Sequence, residues 1–144
     1  MVWIKNISFY LVVAFCLNIL SLWLDSTFLA KALHDNIVII LINLLAINTA
    51  TTGIVLTKLK ELSEINNNFD FTESYNELKN ALKEQVILIL LSLIILIMKD
   101  SKVIKGILPY HDLIFDSIIT AIFINALDTL RDTGKAIFLI IKKK

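Results

Sequence analysis

Few side chains of this 144-residue chain could carry chemistry, and most of those sit inside long apolar runs. Asp116 has Asp112 one helical turn before it and Thr120 one turn after, which aligns the three along one helix face. A carboxylate at the centre of a membrane-length helix costs about 2.5–3.5 kcal/mol on insertion scales. Such a group reads as an ion or proton site, as a ring at a pore mouth, or as an interfacial residue reached by water. Asn18, Ser21 and Asp25 share a face with Leu11 and Ala14, while Asn36, Asn43, Ala50 and Thr57 recur every seven residues. Both stripes are expected to point inward, as interhelical hydrogen-bonding groups or as the lining of a pore or cleft. Ala46, Thr49, Ala50 and Gly53 are small enough to let a second helix approach closely in lipid, where packing drives association. Asn125, Asp128 and Asp132 form a further polar cluster that reads as a solvated face.

Two His-Asp pairs, His34-Asp35 and His111-Asp112, could in principle converge on a metal. Capping of helix starts by Asp35 and Asp112 already accounts for the carboxylates, so no metal site is expected. No G-x-S-x-G, H-E-x-x-H, Walker loop or G-x-G-x-x-G is present, and no Cys-His or Ser-His-Asp spacing suggests a nucleophile. The expectation is a protein with no catalytic residues and no cofactor. A net charge of +1 gives no electrostatic footprint for nucleic acid. The single cysteine, Cys16, cannot form an intramolecular disulfide.

The elements that must position these residues follow from hydropathy. The chain is 57% hydrophobic, with a mean hydropathy of +0.77, more than a small globular domain can bury. Residues 7–24, 37–56, 86–98 and 113–127 carry almost no charge, and the third run is interrupted only by Ser92. One proline and three glycines are too few turn-formers for an all-β chain, and the runs do not alternate as barrel strands would. The reading is an all-α membrane protein with four transmembrane helices. The first run is long for a signal h-region and lacks an A-x-A pattern behind it, so it is expected to remain as a span. With both termini cytoplasmic, ten Lys and Arg lie inside and Lys31, Lys99, Lys102 and Lys105 lie outside, which favours that orientation.

Residues 57–85 form the largest hydrophilic part of the chain. Leu56, Leu59, Leu62 and Ile65 keep helical spacing up to Asn66, Asn67 and Asn68, where the side-chain amides favour a turn. Asp70 with Glu73, or Ser74 with Glu77, has capping-box spacing for a new helix that runs on through Tyr75, Leu78 and Leu82 into the third span. The two helices are expected to form a cytosolic hairpin extension with its tip at residues 66–71. It is either a simple connector or a docking surface for a soluble partner, with Glu61, Glu64, Asn67, Phe69, Asp70 and Phe71 as the contact residues. Residues 128–144 either continue the fourth helix into the cytosol or lie in the interface with Lys142, Lys143 and Lys144 on anionic headgroups; Gly134 permits a bend between the parts.

Four spans, the helical extension TKLKELSEINNNFDFTESYNELKNALKEQ and an Ile/Asn/Lys-rich composition together resemble the small membrane subunits of bacterial anti-phage defence systems, the Kiwa membrane subunit nearest among them. The resemblance lies in outline and carries no residue motif. It implies a homo-oligomer in the bacterial inner membrane, a tetramer being one candidate, that senses envelope disturbance and recruits or releases a cytosolic DNA-binding effector. Immunity proteins against pore-forming bacteriocins share the span count and composition and would instead block a toxin helix within the bilayer. Holins match in size and basic tail, and would open a lesion. The expected function is therefore a self-associating sensor or scaffold that docks a cytosolic partner and touches no nucleic acid itself, beside a pore-forming and a toxin-blocking alternative.

Overall fold

Apolar segments of this length can satisfy their backbone groups in lipid only as helices or closed barrels. The chain's one proline, Pro109, falls between two helices and interrupts none. The computed structural model describes residues 2–65 and 72–142, and there it contains α1 (Val2–Trp23), α2 (Phe28–Ile65), α3 (Thr72–Asp100), the short α4 (Lys102–Ile107) and α5 (His111–Lys142). Four of these helices are each long and apolar enough to cross a membrane.

Local chemistry sets the boundaries. At the end of α1 the Ser26 N–H donates to the Ser21 carbonyl and the Asp25 N–H to the Leu22 carbonyl, with Asp25 left-handed at φ 52°. This is a Schellman stop with aspartate in the position usually held by glycine. Asp25, expected on the inward polar face, instead terminates the helix and is exposed. Helix α2 starts nine residues before the expected span, where the Thr27 carbonyl accepts from the Lys31 N–H. Asp35 consequently lies two turns inside α2 and caps nothing, contrary to expectation. Asp112 does lie in the first turn of α5, where its charge suits the helix dipole. Residues expected as a plain loop contain α4, which ends at Leu108 in an extended conformation imposed by the proline that follows. Helix α5 runs unbroken through Gly134.

Helix α5 is the hub. It packs against α1, α2 and α3, and half of its membrane-length window is buried, against 17%, 28% and 22% for α1, α2 and α3. The buried small residues Ser117, Thr120, Ala121, Ala126, Thr129 and Thr133 allow three neighbours to approach it at once. Helices α2 and α3 run antiparallel, joined near one end by His34 and Asp100 and near the other by Val55, Leu59 and Leu78. The buried residues of α3, namely Leu78, Gln85, Leu88, Ser92 and Ile95, follow the alternating three-and-four spacing of a coiled-coil seam. The main apolar cluster joins Leu33, Ile37, Leu41 and Leu44 of α2 to Leu88 and Ile95 of α3 and to Phe115, Ile119, Ile122 and Ala126 of α5.

The inward stripe of α2 differs from the expected one. Ile37, Leu41, Leu44, Asn48, Thr52, Val55 and Leu59 are buried, whereas Asn36, Asn43, Ala50 and Thr57 are exposed. Ala46, Thr49 and Gly53 are exposed with them, so the small-residue face lies on the outside of the described bundle. Dispersion scales with contacting atoms, and the Leu/Ile stripe offers more of them to α3 and α5 than a small, polar stripe could. In α1 the inward residues are Tyr10, Ala14 and Asn18, with Ser21 half-buried and Leu11 turned outward.

Candidate functional site

Polar side chains pair across helices at both ends of the bundle and at mid-depth. At the end of the bundle that carries α4, the Lys99 Nζ at the close of α3 donates to Asp116 Oδ1 of α5 at 2.5 Å, and both side chains are only 12% exposed. Beside it His34 of α2 contacts Asp35 at 3.2 Å through Nδ1 and Asp100 of α3 at 3.3 Å through Nε2. His111 is buried against the Phe115 ring, with Nδ1 at 3.2 Å from Asp112 and Nε2 unpartnered among the described residues. The two His-Asp pairs therefore make separate contacts, and no group of three metal-ligating side chains occurs among the described residues.

At mid-depth α1 is joined to α5. The Asn18 Nδ2 donates to the Thr120 Oγ1 at 3.1 Å and to the Ala14 carbonyl at 2.9 Å, in a buried setting. Asp116 and Thr120, one turn apart on α5, thus serve two different neighbours, an ion pair to α3 and a hydrogen bond to α1. Interhelical hydrogen bonds in membranes average about 0.6 kcal/mol and reach about 1.7. Asn18→Ala is accordingly expected to lower stability within that range, and equilibrium unfolding in mixed micelles measures it. An unchanged stability would show that the Asn18 amide is satisfied equally well by its own helix.

Towards the opposite end the Tyr10 hydroxyl donates to Asp128 Oδ2, and Arg131 reaches the other carboxylate oxygen at 2.5 Å. Asp128 was expected to be merely solvated; it is mostly buried and ties the start of α1 to α5. Asp132 pairs with Lys135 at 2.9 Å on the exposed surface. Nearby, Asn48 of α2 and Gln85 of α3 are buried with both amide atoms unpartnered among the described residues.

Of the residues singled out in the sequence, Asn18, Thr120 and Asp116 lie inside the bundle and Ser21 at its edge. Asn43, Ala46, Thr49, Ala50 and Gly53 lie on its outer surface, and Glu61 and Glu64 are exposed near the far end of α2. Asn67, Phe69, Asp70 and Phe71 fall outside the described residues. Sequence reasoning missed Lys99 as the partner of Asp116, Tyr10 and Arg131 as partners of Asp128, and the pair Asn48 and Gln85. The last two were detectable: Gln85 lies seven residues from both Leu78 and Ser92, and Asn48 continues the step from Leu41 and Leu44. No protein family, no curated protein and no solved structure matches this chain.

Proposed function

We propose that this chain is a non-enzymatic, multi-pass protein of the bacterial inner membrane that self-associates through the outer face of α2 and docks a cytosolic partner on the α2–α3 extension. The observation that carries the reading is the outward orientation of Asn43, Ala46, Ala50 and Gly53. Asn43 lies within a membrane-length apolar window, exposed and without a hydrogen-bond partner among the described residues. A Cβ added at Gly53 would meet nothing within 4 Å, so a second helix can come close there. A carboxamide facing lipid is costly, and a second copy of the same face can supply both its donor and its acceptor.

Length supports the docking half of the proposal. Helix α2 has 38 residues, about 57 Å at 1.5 Å per residue, against a hydrocarbon core of about 30 Å. Part of it, with the start of α3, therefore extends beyond the bilayer. The seam of Val55, Leu59 and Leu78 holds the two helices together there, with Glu64 and Glu61, the latter paired with Lys58 at 2.6 Å, on the exposed surface where a partner can reach them. The distribution of Lys and Arg supports a cytosolic extension. The outline shared with anti-phage membrane subunits supports a sensor or scaffold role with a defence effector as the partner.

Affinity purification of the tagged protein from its host in mild detergent, with mass spectrometry and a native mass, tests both halves. A defined homo-oligomer with a stoichiometric soluble partner is expected. Gly53→Leu combined with Ala50→Leu should reduce the complex to monomers, and charge reversal at Glu61 and Glu64 should release the partner while sparing the oligomer. A partner-free oligomer that conducts ions in planar bilayers would replace this reading with the pore-forming one.

A further inference from the structure

The apolar interior of the α2–α3–α5 bundle is divided. The buried residues of one cluster end at Leu44, Leu88 and Ala126, with the partly buried Leu130 packed against it, and those of another begin at Val55, Leu59 and Leu78; the buried residues between them are polar: Asn48 and Thr52 on α2, Gln85 on α3, Thr129 and Thr133 on α5. Asn48 is 0% and Gln85 2% exposed. The Nδ2 and Oδ1 of the first and the Nε2 and Oε1 of the second have no hydrogen-bond partner among the described residues.

The register brings these groups to one level. With His34 beside Asp100 at one end and Leu59 beside Leu78 at the other, Gln85 falls opposite positions 49–52 of α2, within about a turn of Asn48. The Lys99–Asp116 contact sets the antiparallel register of α3 on α5 and brings Gln85 opposite the stretch between Thr129 and Thr133. Both threonine hydroxyls donate to their own helix, to the Asn125 and Thr129 carbonyls, so each keeps lone pairs free to accept.

We propose that this layer is an internal hydration site, in which Asn48, Gln85 and the two threonine hydroxyls bind water inside the membrane-spanning bundle. Each carboxamide offers two donor hydrogens and one acceptor oxygen, and water can answer both roles. A direct contact between the two amides would satisfy only part of this capacity. Buried water typically makes about three hydrogen bonds to groups of this kind. The site is also short of the surface: Asp128, Arg131 and Asp132 lie on the same turns of α5, so exchange with the aqueous phase does not have to cross the apolar cluster on the α4 side. The hydration site does not depend on the oligomer or on a partner.

The test is water-edited solid-state NMR on the full-length, isotope-labelled chain in liposomes. Magnetisation transfer from water to the Asn48 and Gln85 side-chain amides should build up severalfold faster than transfer to the backbone amides of Leu44 and Ile119 at the centre of the apolar cluster. Transfer as slow as at Leu44 and Ile119 would overturn the proposal. A through-space cross-peak from the Asn48 amide to the Gln85 carbonyl together with slow transfer would overturn it in favour of a dry amide pair. In the Asn48→Leu and Gln85→Leu double variant, transfer to the Thr52 and Thr129 backbone amides should fall to the level of the apolar cluster. If that variant does not fold, the measurement on the native chain decides alone.

Discussion

Lys99→Met and Asp116→Leu, each made alone, are expected to lower the unfolding free energy by about 3–5 kcal/mol, and the two made together to restore most of it. Each single change leaves an uncompensated charge that is 12% exposed and sits at the end of a membrane-length helix. The double change replaces the pair with apolar side chains of similar volume, which is often neutral or stabilising. Equilibrium unfolding in mixed micelles gives the four corners of the cycle. The result also separates two roles for Asp116. If its carboxylate lined a conduit, Asp116→Leu would abolish conduction with little loss of stability, and removing Lys99 as well would rescue nothing. A pair that joins α3 to α5 predicts strong coupling in stability.

The second large effect is expected at Ala14. Its side chain is fully buried between α1 and α5, beside Tyr10 and Ala121, and its carbonyl accepts from Asn18. Ala14→Leu inserts three heavy atoms where α1 and α5 lie in contact, an overpacking that costs about 1–3 kcal/mol. It also pulls Asn18 away from Thr120, adding about 0.6 kcal/mol. Because α1 is held chiefly by α5, the strain has one outlet, undocking of α1. Spin labels at the exposed Cys16 and at a cysteine replacing exposed Leu127 should report a longer and broader distance distribution in the variant. Val12→Leu, on the exposed face of α1, should leave the distribution unchanged. An unaltered distribution in Ala14→Leu would mean that the α1–α5 contact has room to spare.

The Lys99–Asp116 and Ala14 tests probe features that differ in how far they could be read from the chain. A pattern of apolar runs without charge is a statement about solvent, and it identified the four long helices without reference to any contact. The extension of α2 and α3 past the apolar runs was legible for a similar reason, since helical spacing of leucines persists through Leu59 and Leu78 into the hydrophilic segment. Burial of Ala14 and Asn18 was legible because α1 offers one polar, small-residue stripe. Helix α2 offers two, and only one can face α3 and α5.

The amino-acid sequence by itself determined that this chain is helical, that four of its helices are long and apolar enough to cross a membrane, and where its polar residues lie along them. These properties depend on each segment's exchange with lipid and water, which composition and periodicity record. Tertiary structure alone decided that α5 is the hub, that Asp116 answers to Lys99 and Asp128 to Tyr10 and Arg131, and that Asn43 and Gly53 face outward while Asn48 and Gln85 are enclosed. The physical reason is that lipid treats all apolar faces of a helix nearly alike. Which face turns inward is set by the fit of one helix surface against another, and no segment carries that information alone.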